Sequence, residues 1–228
     1  MTFVAKRRLF AALSAAALLA GAFALAPTPA HAQDAAPAQA APAQAAQSDA
    51  SKFVQELGDR AILELTDKKI SDEERVNRMR AMLKQSFDEV AVARFVLGTY
   101  WNRATPDEQG EFTKLYETLV SYTYAGLFKK YSGETFQVLR ERTVDGDTVV
   151  YAQINQPAGG QPIPIEMLVR NGDGGYRAVD IKVEGISMPL THRKEYASVI
   201  QRNQGQVSGL IKILREKAAQ LEKGGAAN

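Results

Sequence analysis

The stretch Ile163-Pro164-Ile165-Glu166-Met167-Leu168-Val169-Arg170, then Asn171-Gly172-Asp173-Gly174-Gly175, then Tyr176-Arg177-Ala178-Val179-Asp180-Ile181-Lys182-Val183-Glu184 decides the fold class. Two alternating runs flank a glycine-rich turn. Ile165, Met167 and Val169 fall on one face of the first, and Val179, Ile181 and Val183 on one face of the second, while Glu166, Arg170, Asp180 and Lys182 fall on the other. A period of two with one apolar face reads as antiparallel strands covered on one side and wet on the other. Upstream, Thr135–Arg142 and Thr148–Gln156 flank Asp145-Gly146, a two-residue hairpin signal, with Val150, Ala152 and Ile154 on one face. The expected sheet therefore has about four strands in a meander.

Helical patterns surround it. Phe53, Leu57, Ala61 and Leu65, with Val54 and Ile62, predict a first amphipathic helix to about Asp67. Ser71-Asp72-Glu73-Glu74, Ser86-Phe87-Asp88-Glu89 and Thr105-Pro106-Asp107-Glu108 have the form of capping boxes opening three more. The last carries proline at the first helical position, where its missing N–H costs nothing. Its helix can reach about Tyr131, on the order of 39 Å at 1.5 Å per residue. After Gly185 and Ile186-Ser187-Met188, two further helices are expected around Tyr196–Ile200 and Val207–Leu221. Helices, a run of strands, then helices make the fold class α+β: an antiparallel sheet of about four strands packed against several helices.

The rest of the chain is organised around this domain, read as residues 51–223. Lys6, Arg7 and Arg8, an apolar run from Leu9 to Ala26 and the small-x-small site Ala30-His31-Ala32 make residues 1–32 a signal peptide. The expected address is an exported, oxidising compartment. Residues 33–50 read as a disordered linker, rich in Ala, Pro and Gln, with Ala-Ala-Pro-Ala-Gln at 35–39 repeated at 40–44. Residues 224–228 read as a disordered tail.

Composition narrows the chemistry. The 228 residues include 28 Lys+Arg, 26 Asp+Glu, two histidines and no cysteine. A net charge of +2 gives no basic excess of the kind nucleic-acid binders show. Without cysteine there are no disulfides, thiolate nucleophiles or sulfur-ligated metals. Cleavage after Ala32 would leave 25 basic against 26 acidic residues, and His192 as the one histidine. No ligand cluster accompanies it, so no metal or other cofactor is expected, and His192 beside Arg193 and Lys194 reads as a surface residue. No nucleophile elbow, zinc motif or phosphate loop is present, so no catalytic residues are assigned and the chain is not expected to be an enzyme. Asp180 could serve as a general base in a small isomerase-like cavity, but its alternation phase directs it away from the covered face. Asp88, Arg94 and Glu184 read as cap or surface charges.

Eight of eighteen aromatic residues lie between Tyr100 and Tyr131. On the long helix Phe112, Leu115, Tyr116, Leu119, Tyr122 and Leu127 lie close to one face, which reads first as core. Tyrosines on that face also suit a wall only partly filled by protein, because each hydroxyl needs a partner.

Phe87-Asp88 through Phe95-Val96-Leu97-Gly98, Tyr100-Trp101, Ala104-Thr105-Pro106 and the aromatic helix together resemble the MlaC (toluene-tolerance) family. So do Tyr176 through Met188, Arg193, Glu195-Tyr196, Val199-Ile200 and the helix from Gly205 to Leu214. The resemblance spans about residues 51–220. It implies a periplasmic phospholipid carrier that encloses lipid tails in an apolar cavity between sheet and helices. The implied partners are an inner-membrane MCE-domain protein of an ABC transporter and an outer-membrane lipoprotein–porin complex, and the implied outcome is outer-membrane lipid asymmetry. A hopanoid-associated branch shares part of the pattern, including Ser132-Gly133-Glu134, whereas Glu184–Met188 and Arg193-x-Glu195-Tyr196 fit the phospholipid branch better. The lining residues expected on this basis are Val90, Phe95, Leu97, Tyr100, Trp101, Phe112, Tyr116, Leu119, Val150, Ile165, Met167, Val169, Val179, Ile181 and Met188. Two other classes remain open: an isomerase-like enzyme, needing a buried carboxylate paired with a phenol, and a protein-binding chaperone or adhesion module with an exposed apolar patch.

Overall fold

A computed structural model describes residues 48–131 and 133–224; the expected signal peptide, residues 33–47 of the expected linker and the last four residues lie outside the described part. Six helices accompany one antiparallel sheet among these residues: α1 (Asp49–Leu65), α2 (Asp72–Ser86), α3 (Glu89–Leu97), α4 (Pro106–Phe128), α5 (Met188–Arg202) and α6 (Val207–Gly224). The strands are β1 (Thr135–Val144), β2 (Asp147–Asn155), β3 (Ile163–Gly172), β4 (Gly175–Val183) and β5 (Ile186–Ser187), hydrogen-bonded in sequence order. The α+β meander is thus as the alternation predicts, with one short strand added. Asp145-Gly146 and Glu184-Gly185 both hold positive φ at their two turn positions, the geometry that matches a hairpin turn to strand twist.

The first helix begins two residues before the expected domain start. Ser48 caps it by accepting from Ser51 N, and Ala50 is buried. The Ser71 and Thr105 caps form as their sequences predict, the latter as a complete box with Glu108. The Ser86 box does not. Ser86 is the last residue of α2, and Asp88 caps α3 by accepting from Ala91 N at 2.9 Å. Phe87 is extended there because it bridges Ala178 of the sheet, with Asp88 N donating to Ala178 O. Asp88 is therefore a cap residue, as expected.

α4 stops at Phe128, not Tyr131, so its 23 residues span about 35 Å. The carbonyls at and just beyond its C-cap are taken from outside: Lys68 Nζ donates to Lys129 O and Tyr131 O at 2.6 Å each. α5 begins at Met188, well before Tyr196, because Ser187 caps it through Leu190 N and Pro189 fits its first turn.

Two cores result. One is helical, joining α3, α4, α5 and α6 around Leu97, Trp101, Phe112, Leu119, Ile200 and Leu210. The other joins α1, α2 and α4 to the inner sheet face through Val54, Leu65, Met79, Val150, Met167 and Val169. The outer face is polar, with Lys182 to Glu166 at 3.1 Å and a two-pronged Arg170–Asp147 pair. Asp180 lies on this side, accepting from Ser187 Oγ at 2.8 Å.

Candidate functional site: an apolar cavity between sheet and helices

A cavity of about 440 Å³ lies against the second core. Its size falls within the ~300–1,000 Å³ usual for small-molecule sites. α1 contributes Leu57, Gly58, Ala61, Ile62 and Leu65, and α2 contributes Met79, Met82 and Leu83. The sheet contributes Phe136, Ile154, Ile165, Met167, Ile181 and Val183. α4 supplies Thr113, Tyr116, Glu117, Val120, Tyr124, Leu127 and Phe128, and α5 supplies Met188, Pro189 and His192. Exposed residues among the lining mark its rim: Leu127 at 47%, Ile186 at 58% and Glu184.

Local sequence explains the empty space. At Gly58 an added Cβ would lie 2.1 Å from the Phe136 ring, so the absent side chain lets the ring sit flat against α1. Ala61, about one turn further along, keeps the helix surface low beside that ring. Opposite them, strand alternation presents Ile154, Ile165, Met167 and Ile181 as a flat apolar floor.

Five of the fifteen expected lining residues lie on this cavity: Tyr116, Ile165, Met167, Ile181 and Met188. The other ten are elsewhere. Leu97, Trp101, Phe112 and Leu119 fill the helical core, with Tyr100 packed against it. Val150 and Val169 are buried in the second core without reaching the cavity. Val90 and Phe95 are exposed at 59% and 41%, and the Arg193 guanidinium lies over the Phe95 ring. Val179 is displaced by an irregularity between Leu168 and Val169: Leu168 pairs with Asp180 but Val169 pairs with Ala178, so Ala178 takes the core-facing place.

The expected single aromatic face of α4 is two faces. Phe112, Leu115 and Leu119 pack into the helical core, while Tyr116 and Leu127 face the cavity together with Thr113, Val120 and Tyr124. Tyr122 packs in the second core. The repeat 113-116-120-124-127 is itself helical, and that second stripe is the signal that identifies the wall.

His192 is also placed differently from the sequence reading. It is half-buried on the cavity wall, not on the surface, and its Nδ1 lies 2.8 Å from the Tyr116 hydroxyl. Its ring stacks on Tyr196 at 6.0 Å and meets Tyr116 edge-on at 5.5 Å. Burial lowers its pKa, with Lys217 acting in the same direction and Glu195 against. Burial raises the Tyr116 phenol well above its ordinary range and pushes Tyr124 up to about 12. All three are therefore neutral near pH 7.

A pH prediction follows from the histidine. The unfolded chain takes up a proton on His192 as pH falls through about 6.5, whereas the folded domain resists it. This contribution to stability is full above that value and is lost as pH falls toward the depressed folded pKa. Urea unfolding at about pH 7.5 and 5.5 should show a larger loss for the wild type than for His192→Phe; parallel losses would mean that His192 titrates normally.

Two carboxylates meet the cavity beside α3. Glu117 Oε1 pairs with Arg80 Nε at 3.5 Å and Lys84 Nζ at 3.4 Å. Glu89 Oε1 is buried without a hydrogen bond among the described residues, and burial followed by the Glu117 charge raises the pKa of Glu89, against the pull of Lys84. Asp180, the carboxylate an isomerase-like site would need, is on the opposite sheet face. Among the described residues no group of three or more His, Cys, Asp or Glu is placed to hold a metal, and no helix is long and apolar enough to cross a membrane.

Known proteins share the sequence pattern and the fold. The family model described as MlaC protein covers residues 55–216. The intermembrane phospholipid transport system binding protein MlaC of Haemophilus influenzae is 24% identical over 129 residues, 55% of this chain and 59% of that protein, so less than two thirds of the relative is spanned. A phospholipid-binding protein from Ralstonia solanacearum, solved in complex with a phospholipid, superposes with a TM-score of 0.69. It is 24% identical, with 77% of this chain and 99% of that chain covered, a likeness that shows the fold.

Proposed function

The chain belongs to the MlaC family, and from that premise we propose that it is a phospholipid carrier of the periplasm, not an enzyme. It holds lipid tails in the cavity and exchanges them with an inner-membrane MCE/ABC transporter complex and an outer-membrane lipoprotein–porin complex, so maintaining outer-membrane asymmetry. Residues 1–32 act as its export signal.

The observation that carries this reading is an apolar cavity, open at a rim of Leu127, Glu184 and Ile186, in a chain of this family. Each methylene withdrawn from water contributes about 0.8 kcal/mol. Two long tails are thus strongly held without specific contacts, while a hydrated headgroup stays at the rim. The related proteins' printed descriptions, one a phospholipid transport binding protein and one solved with a phospholipid, support the same ligand class.

The test is solvent extraction and mass spectrometry of the mature protein. About one phospholipid per chain is expected. A lipid-free protein that is stable and takes up no phospholipid from vesicles would sink the proposal, and a polycyclic lipid in its place would shift the ligand to the hopanoid class.

A further inference from the structure

We propose that His192 hydrogen-bonds an oxygen atom of the bound lipid, making one polar contact point on the cavity wall. This rests on the lipid-carrier reading and goes beyond it, since burial of tails alone requires no such contact.

The ring is held from two sides, by the Tyr116 hydroxyl at Nδ1 and by the Tyr196 face. Its other nitrogen, Nε2, has no hydrogen-bond partner among the described residues, yet it is not sealed in by protein. His192 lines the cavity, so this open, unpartnered nitrogen is available to a ligand held there. Tyr116 O–H has no other acceptor among the described residues, so donating to Nδ1 is the arrangement that pairs the phenol proton, and the neutral ring then carries its proton on Nε2. The cavity is then offered a donor, and the group that suits it is an acceptor oxygen.

Position narrows which oxygen. His192 follows Met188 by four residues on α5, about 6 Å along the helix axis, and Met188 follows the exposed rim residue Ile186. The donor therefore lies about one helical turn along α5 from the Ile186 side of the rim. A lipid with its headgroup in water brings phosphate oxygens and ester carbonyls to this level, and a hydrocarbon segment placed there would leave the N–H unpaired. An unpaired buried donor costs more than a made bond gains, so the site discriminates by what it rejects.

The test uses delipidated protein reloaded from vesicles of diester phosphatidylglycerol, or of the diether analogue with the same headgroup and chain length. His192→Phe keeps the stacked ring and removes both nitrogens; His192→Gln keeps a donor and guards against a folding defect in the first variant. Thermal melts confirm that each is folded. His192→Phe should bind the diester lipid about three- to tenfold more weakly, with part of the loss recovered in His192→Gln. If the wild type binds the diether lipid as weakly as His192→Phe binds the diester, the partner is an ester carbonyl. If His192→Phe weakens both lipids equally, the partner is a phosphate oxygen. Folded His192→Phe binding both lipids as the wild type does overturns the proposal and leaves the carrier reading standing. Failure of the wild type to take up either lipid overturns both.

Discussion

Replacing Ile181 by arginine should empty the cavity while leaving the domain folded, and this is the largest functional effect expected of any single substitution here. Ile181 pairs with Met167 at the middle of the cavity floor, but it is only half-buried and its side chain borders the void. A longer side chain there has the cavity to extend into. Arginine stays charged at any accessible pH, and lipid tails laid across its guanidinium would strip its water without supplying a partner. Desolvating an unpaired charge costs several kcal/mol, equivalent to a loss of about a hundredfold or more in lipid affinity. In the empty protein the same group can remain hydrated through the open rim. Co-purifying phospholipid should fall to background in mass spectrometry, while the thermal midpoint shifts only a few degrees. Undiminished lipid would show that the tails avoid the sheet floor. Ile181→Trp separates volume from charge: it fills space without a charge and should reduce lipid occupancy less.

Much of the fold is legible before any coordinates, because its signals are local. The Thr105 box, the Asp145-Gly146 turn and the alternation of β2 and β3 each depend on residues a few positions apart, and each forms as its sequence predicts. Failures arise where a distant contact overrides a local pattern. Ser86 has the spacing of a cap, yet the bridge from Phe87 to Ala178 extends the chain and passes the cap to Asp88. Val179 keeps perfect alternation in sequence, but one irregularity in pairing with β3 turns it out of phase.

The cavity was harder to see for a different reason. Wall and core are made of the same residue types, and periodicity reports only that a face is covered, not whether protein covers it. Phe112 and Tyr116 are neighbours on α4 and stack at 5.8 Å, yet one is wholly in the helical core and the other borders empty space. What distinguishes the wall is small residues on α1: Gly58 lets the Phe136 ring lie against the helix, and Ala61 borders the cavity with a single methyl group. His192 was hidden by its charged neighbours Arg193 and Lys194, because a helix start with three basic residues reads as surface from either side.

Replacing Arg75 by methionine should produce the largest loss of stability in the domain. Arg75 is only 2% exposed and has no carboxylate partner among the described residues. Its guanidinium instead reaches the end of α1, where Nη1 donates to Leu65 O and Nη2 donates to Asp67 O at 2.8 Å. The last turn of a helix has carbonyls with no partner of their own and carries the negative end of the helix dipole. Thr66 Oγ1 on Ile62 O and Arg78 Nη1 on Glu64 O complete the same cap. Methionine matches the length of the arginine stem but leaves two carbonyls orphaned, at about 1–3 kcal/mol each. Part of this is offset by no longer burying an ion, which itself carries a large desolvation cost. A net loss of about 2–4 kcal/mol should lower the thermal midpoint of a domain this size by roughly 5–15 °C. Arg75→Lys should fall between, since an ammonium cannot fork to both carbonyls in the same geometry. A methionine variant as stable as the wild type would mean that the ion's burial cost cancels everything the cap contributes. The consequence reaches the cavity, because Leu65 and Met79 line it from the two helices that Arg75 joins. Loosening that junction should speed lipid loss on dilution into empty vesicles well before the domain unfolds, whereas a destabilising change confined to the helical core, such as Leu210→Ala, should not.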